Sequence, residues 1–328
     1  MGPYLGKHRD SSLSLTEYAE IVLTPKQALS LAEMQALFVL FADLFILLTG
    51  SDFNLDWPTL MCGEGDQAQR LQLYFARHAS REKEPPGPHK WWVNFPKISS
   101  QFGELFANWR RRREQWGPGV YLYLSTRRSE SLYEEHRFIM LVWGLESLHR
   151  RRAEPARGAE KLQQKIERIL SRLEEGKDKR WLQRQLEHAG EPSLEQRILE
   201  TLEGLPLDLE KDALRKFARA CAEKRNEISH YGGRRHEGKY SDELEDLHKK
   251  SEALSNLYHI LLLREIGIDD TTLNAIAHRG LRSFTIKSSF VAVGLLSPEA
   301  LKDPATDAAI AAARLAAKTK DESGKEGS

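Results

Sequence analysis

Cysteine is nearly absent from this chain, with only Cys62 and Cys221 in 328 residues. Two thiols cannot make a disulfide framework, and no Cys-x-x-Cys or Cys/His cluster offers a structural zinc site. No structural zinc is therefore expected, a reducing cytoplasmic compartment is the default, and no cofactor is called for. Charge of one sign is also missing. With 49 Lys+Arg against 48 Asp+Glu the formal net charge is +1, which excludes a histone-like coat on nucleic acid or an acidic mimic of it and makes any basic site local. The most apolar run, Ala36 to Leu48, contains Asp43; it falls short of the roughly 20 residues of a membrane span and reads as a buried helix, so no membrane contact is expected. Met1 to Asp10 lacks an apolar core followed by small cleavage-site residues, so no signal peptide is expected. A Gly-rich phosphate loop of the P-loop or Rossmann type and a Gly-x-Ser-x-Gly elbow are missing too, which removes the usual support for ATP hydrolysis and esterase chemistry.

What is present is a length that predicts about two domains. In the first 125 residues, strands are expected at Ser14 to Leu23, Phe53 to Met61, Leu71 to Ala76, Trp91 to Phe95 and Val120 to Ser125, on their β-branched and aromatic content. Helices are expected at Lys26 to Leu48 and Ser100 to Trp116, the second ending at Gly117-Pro118-Gly119. After Thr126 the strand signal stops. Helical segments follow at Ser131 to Arg152, Gly158 to Glu175, Asp178 to His188, Leu194 to Glu203, Asp208 to His230 and Ser241 to Ile266. Ser131-x-x-Glu134 fits a capping box, and Ser241 before Asp242 and Glu243 fits an N-cap. An apolar Ser289 to Leu296 leads to the Ala-rich Asp307 to Ala317 and a polar tail. The fold class is α+β: a mixed α/β part at 1–125, an all-helical bundle at 126–285, and a C-terminal extension and disordered tail at 286–328.

The sharpest chemical signal is Arg225-Asn226-Glu227-Ile228-Ser229-His230. Its helix carries an apolar stripe at Leu214, Phe217, Cys221 and Ile228, and at about 100° per residue Arg225 falls on the same stripe. An unpaired buried guanidinium is costly, so Arg225 meets an internal carboxylate, lies at a subunit interface, or lines a pocket. Glu146 is the expected internal partner, because it continues the inward stripe of Leu132, Ile139 and Val142. Arg225 and His230 point about 140° apart on one helix, so two copies of the helix about a dimer axis would bring them into a single cleft. His230 sits in the last turn ahead of Gly232-Gly233, where the helix dipole favours its protonated form and suits a proton donor near neutral pH. The basic loop that follows, with Arg234, Arg235 and Lys239, could hold phosphates beside it.

Arg225-Asn226-x3-His230 on a late helix of an all-helical domain resembles the signature of the HEPN superfamily, and Phe138 to Arg150 followed by the motif helix resembles the C-terminal HEPN domain of ApeA-like anti-phage proteins. That match covers roughly Leu132 to Ile268. Leu-Leu-Thr-Gly-Ser at 47 to 51, Phe95-Pro96-Lys97-Ile98 and Val120 to Ser125 resemble the later part of the family's N-terminal domain. The resemblance implies a metal-independent endoribonuclease of abortive infection that works as a homodimer and leaves a 2′,3′-cyclic phosphate; tRNA or mRNA is the expected substrate, and a further reading has the N-terminal half bind a phage-derived trigger and restrain the nuclease half. It gives His230 the role of general acid/base, Arg225 that of stabilising charge on the phosphorane, Asn226 that of orienting one or the other, and Glu146 a supporting role. Family members usually carry a longer N-terminal domain. HEPN toxins silenced by AMP transfer read His-x-Tyr after the motif; here Tyr231 adjoins His230 and Gly232 takes the tyrosine position, so that control is not expected.

Two basic runs, Trp109-Arg110-Arg111-Arg112-Arg113 and His149-Arg150-Arg151-Arg152, stand at helix ends, where cations meet the dipole and solvent or contact RNA; Arg150 and Arg151 are the nearer to Glu146. Trp91-Trp92 fills a core or rim, or stacks on bases. A second reading of the whole chain is a non-catalytic helical module that dimerises and binds RNA or a protein, with Arg225 tied up by Glu146.

Overall fold

The computed structural model describes residues 21–63, 67–77, 80, 82, 86–87, 90–128, 132–152, 159–186, 189–231, 239–279 and 282–302, the side chains of 159–161, 163, 230 and 231 excepted. The expected strand at Ser14 to Leu23 lies mostly outside them, and its described end at Ile21 to Leu23 is not in a strand. Also outside are Ser131 of the expected capping box, Arg234, Arg235, Gly232-Gly233 and the Ala-rich Asp307 to Ala317.

The first helix, α1 (Leu31–Thr49), starts on a capping box in which the Ser30 hydroxyl accepts from the Glu33 N–H and the Glu33 carboxylate accepts from the Ser30 N–H. It stops at Gly50, whose φ of 78° is left-handed. By length and apolar composition alone α1 is long enough to cross a membrane. Its C-terminal half instead packs into the protein, and buried Asp43 accepts from Arg113 Nε at 2.9 Å and pairs with Arg128. Burial pushes the Asp43 carboxyl up, and the two guanidiniums pull against it.

The sheet is smaller than expected. Among the described residues the strands are β1 (Thr59–Cys62) and β2 (Gln69–Gln72), which overlap the expected Phe53 to Met61 and Leu71 to Ala76 only at their ends and pair antiparallel, with Thr59 opposite Gln72 and Cys62 opposite Gln69. Phe53 makes only an isolated bridge to Glu82. Trp91 to Phe95 is not a strand: consecutive Trp92 and Val93 are both buried, and both N–H groups donate to Leu48 O at 3.0 Å, satisfying the end of α1 before Pro96 starts the short α2 (Phe95–Ile98). Val120 to Ser125 is helical, within α4 (Pro118–Arg128). It buries Val120, Tyr123 and Leu124, which is helix spacing, after α3 (Phe102–Trp116) turns at Gly117. A short apolar-aromatic run does not separate strand from helix, and Pro118 opening the segment decided for helix.

The helical part follows the expected order closely through α5 (Glu134–Arg152), α6 (Ala159–Leu170), α7 (Lys177–Leu186), α8 (Leu194–Leu202), α9 (Lys211–Tyr231) and α10 (Tyr240–Ile266); two further helices that the sequence patterns did not single out follow, α11 (Asp270–His278) and α12 (Ser283–Ala292). The N-cap of α10 is Lys239, not Ser241, which lies inside the helix with its hydroxyl turned to Asp242. The class is α+β, a helical assembly with one two-stranded ribbon among the described residues.

The core is continuous from Leu40 to Leu295. α10 lies at its centre, with nearly every side chain from Ala253 to Leu263 buried, and α5, α4, α3, α1 and α12 pack around it. Trp109 Nε1 donates to Leu40 O at 2.9 Å, and His259 Nε2 of α10 donates to Leu47 O at 2.7 Å, so polar contacts as well as apolar ones join the N-terminal helix to the bundle. The division expected at 125/126 falls inside α4, and that at 285/286 inside α12.

Candidate active site

The candidate residues are carried by α9 and α5, which pack side by side. The inner stripe of α9 is Leu214, Phe217, Ala218, Cys221 and Ala222, all buried, and Ile228 packs against the same core. Arg225 continues that stripe at its edge with its side chain 21% exposed. Its Nη2 lies 3.5 Å from Glu146 Oε2, its Nη1 donates to Asn226 Oδ1 at 3.0 Å, and its Nε is buried with no hydrogen-bond partner. The expected contact between Arg225 and Glu146 is thus present within one chain.

Glu146 sits at the rim of the buried face of α5, which is built from Phe138, Leu141, Val142, Leu145 and Leu148. Its other oxygen, Oε1, accepts from Arg150 Nη2 at 3.2 Å one turn along. Arg150 also reaches Glu191 at 2.9 Å, and Glu191 binds buried Arg197 of α8 at 2.6 Å. A ladder of alternating charge therefore runs Arg225, Glu146, Arg150, Glu191, Arg197 across three helices. Beside it, buried His149 of α5 bonds Glu200 of α8 at 2.7 Å. Glu191 was not singled out in the sequence, and His149 only as the first residue of a basic run; a partner for Arg150 beyond its own helix could be found only by knowing that α8 packs on α5.

His230 lies in the last described turn of α9, five residues beyond Arg225, and its side chain is outside the described residues. Asn226 is exposed next to Arg225. Lys239 stands exposed at the start of α10. Arg151 is not brought to the site: its guanidinium turns to the end of α3 and donates to Gln115 O at 3.2 Å. Trp143, one turn before Glu146 on α5, is 44% exposed, an aromatic surface the sequence patterns did not single out. Of the expected aromatic pair, Trp92 is buried and stacks on His259 at 3.9 Å between centroids, so it is a core residue and not a base-stacking platform.

Cys221, behind the site, is fully buried, and desolvation pushes its thiol up to about 12, which makes it an inert packing group. Among the described residues no group of three or more His, Cys, Asp or Glu side chains is placed to hold a metal ion. The arrangement offers a mostly buried guanidinium at the edge of the core with an amide beside it, and a histidine-bearing turn following on the same helix.

Residues 139–272 match the family model described as Apea-like HEPN, and residues 4–109 match ApeA N-terminal domain 1. No curated protein and no solved structure matches the chain.

Proposed function

We propose, from the premise that a chain carrying an ApeA N-terminal domain 1 ahead of an Apea-like HEPN domain belongs to the ApeA-like HEPN proteins, that it is a metal-independent endoribonuclease. The family suggests an anti-phage defence nuclease. The observation that carries the finer reading is Arg225 held at the edge of the core by Glu146 and Asn226, on the helix whose last turn bears His230.

The ribose 2′-oxygen of bound RNA attacks the adjacent phosphorus, the bond to the 5′-oxygen breaks, and a 2′,3′-cyclic phosphate and a 5′-hydroxyl result. His230 moves the protons, taking one from the 2′-hydroxyl or giving one to the leaving oxygen. Arg225 meets the negative charge that builds on the phosphorane; its planar fork fits phosphate oxygens and stays charged at any working pH. Asn226 orients the guanidinium, Glu146 fixes it from α5, and Arg150, Arg234, Arg235 and Lys239 attract the flanking phosphates. A homodimer about α9 supplies Arg225 and His230 from both chains to one cleft, in the cytoplasm, with the N-terminal part gating the nuclease in response to a phage component.

The test is cleavage of labelled tRNA and mRNA in a chelator by the wild type, Arg225→Ala and His230→Ala. Cleavage by the wild type and loss in both variants supports the reading. Activity that persists in both variants, or that vanishes only with the chelator, defeats it. The second reading, a non-catalytic RNA- or protein-binding module, is favoured by the intrachain Arg225 to Glu146 contact, and predicts RNA retention with no cleavage in any variant.

A further inference from the structure

The helix α7 reads Lys-Asp-Lys-Arg-Trp-Leu-Gln-Arg-Gln-Leu, four cations against one carboxylate in a chain whose overall charge is balanced. At about 100° per residue, Lys177, Arg180, Trp181 and Arg184, spaced i, i+3, i+4 and i+7, fall within a single arc of about 100°. All four are exposed, and Trp181, at 58%, is the most exposed tryptophan among the described residues. Leu182 and Leu186 lie on the opposite side and are half-buried, where α7 packs on α6. The outward face is therefore cationic and aromatic, and the aliphatic face is turned in.

The cations of this face are not neutralised. Lys179, on the other side of the helix, pairs with Glu175, but among the described residues Lys177, Arg180 and Arg184 form no ion pair. Arg180 Nε donates to Gly176 O and Arg184 Nε to Arg180 O, both at 3.3 Å. Each guanidinium thus lies back along its own helix, one turn from the next, with its two terminal nitrogens bonded to no described residue. Asp178, the acid of α7, stands in the first turn, where the positive end of the dipole favours it, about 60° around the helix from Trp181. Two open guanidinium forks suit phosphate oxygens, and an exposed indole beside them offers a base a flat surface.

We propose that this face of α7 binds single-stranded RNA, with Lys177, Arg180 and Arg184 on the phosphates and Trp181 stacked on a base. The proposal rests on the ribonuclease reading for what lies at Arg225, and gives that site a second, sequence-independent hold on the strand. Glu191 ties the two together: it stands seven residues past Arg184 and bonds Arg150, which bonds Glu146, the partner of Arg225. Seven residues span at most about 25 Å, so Arg184 is no farther than that from Glu191. Other occupants fit the face less well. A helix lying on a membrane turns its aliphatic side outward, whereas Leu182 and Leu186 face the other way. A second copy of α7 would set like charge against like across a two-fold axis.

The experiment is fluorescence anisotropy of a labelled, uncleavable 2′-O-methyl RNA with the full chain over a salt series. The variants are Arg180→Gln/Arg184→Gln, Arg180→Lys/Arg184→Lys, Trp181→Ala and Trp181→Phe, all at exposed positions, with thermal midpoints as a folding check. At about 0.7 per phosphate contact on a single strand, the glutamine pair is expected to make the slope of log affinity against log salt shallower by about 1.4, and the lysine pair to restore it. Trp181→Ala is expected to weaken binding at least about fivefold with the slope unchanged, and Trp181→Phe to recover most of the loss, equally on unrelated sequences. An unchanged slope and affinity in the folded glutamine pair overturns the proposal. So does an effect confined to one RNA sequence, equal affinity for a polyglutamate peptide, or a Trp181 dependence seen on phosphatidylserine vesicles and not on RNA. Because the strand cannot be cut, these outcomes are separate from cleavage: a protein that cuts RNA with an unchanged slope keeps its nuclease and loses this face, and one that shows the losses yet cuts no RNA keeps the face and loses the nuclease.

Discussion

Arg225 of α9 reaches Glu146 of α5 at 3.5 Å, while its other terminal nitrogen is held by Asn226 of its own helix. Both partners of the ion pair are about one-fifth exposed, so the contact is neither a solvated surface pair nor a sealed one. A double-mutant cycle of Arg225→Ala and Glu146→Ala should give a coupling energy of about 1 kcal/mol in thermal unfolding. Additive effects would mean that the two side chains do not meet in solution.

Glu146→Gln keeps the shape and removes the charge that fixes the guanidinium. Cleavage should fall about tenfold through kcat with KM little changed, since the group lost is one that orients and does not bind. A rise in KM alone would assign Glu146 to substrate binding instead.

His259 gives the fold a pH dependence. It is fully buried, with Nε2 donating to Leu47 O, Tyr123 Oη bonded to Nδ1, and Trp92 stacked on the ring. Burial first, and then Arg127 and Arg282, hold its pKa well below the usual histidine value. The unfolded chain therefore binds the proton more readily than the folded one. Stability is complete above the unfolded value of about 6.5 and falls as pH drops below it, by up to about 1.4 kcal/mol per pH unit. Thermal midpoints from pH 8 to 5 should show a steeper acid loss in the wild type than in His259→Gln; parallel curves would contradict this.

Gly144 is where α5 meets α4 and α10. A Cβ there would stand 2.9 Å from Tyr258 Oη and 3.3 Å from Gly119 O. Gly144→Ala should cost about 1 to 3 kcal/mol through overpacking, read as a lower midpoint in chemical denaturation. A neutral or stabilising effect would show that these helices are not so close.

Much of the helical half was legible because long amphipathic segments state their period, and the stripe Leu214, Phe217, Cys221 already put Arg225 at a packing edge opposite Glu146. The N-terminal half was less so. Val120 to Ser125 and Trp91 to Phe95 are short runs of aromatic and β-branched residues, and only their neighbours decide their state: Pro118 begins a helix, and Leu48 O takes both N–H groups of Trp92 and Val93. The ladder through Glu191 and the meeting of Arg151 with Gln115 depend on which helices pack together, a long-range fact that local pattern does not encode. Of the candidate site, the contact of Arg225 with Glu146 was legible in the sequence; the path of charge around it was not.

The central claim is that the 2′-oxygen of the substrate is the nucleophile and Arg225 meets the charge it creates. The direct measurement is cleavage, in a chelator, of an RNA with a single mapped cut site against the same strand carrying one 2′-deoxy residue at that site, with mass analysis of the ends. The account predicts a 2′,3′-cyclic phosphate and a 5′-hydroxyl from the all-RNA strand, no cut at the deoxy position, and a loss of at least about 100-fold in Arg225→Ala. Cleavage of the deoxy strand at an equal rate would contradict it.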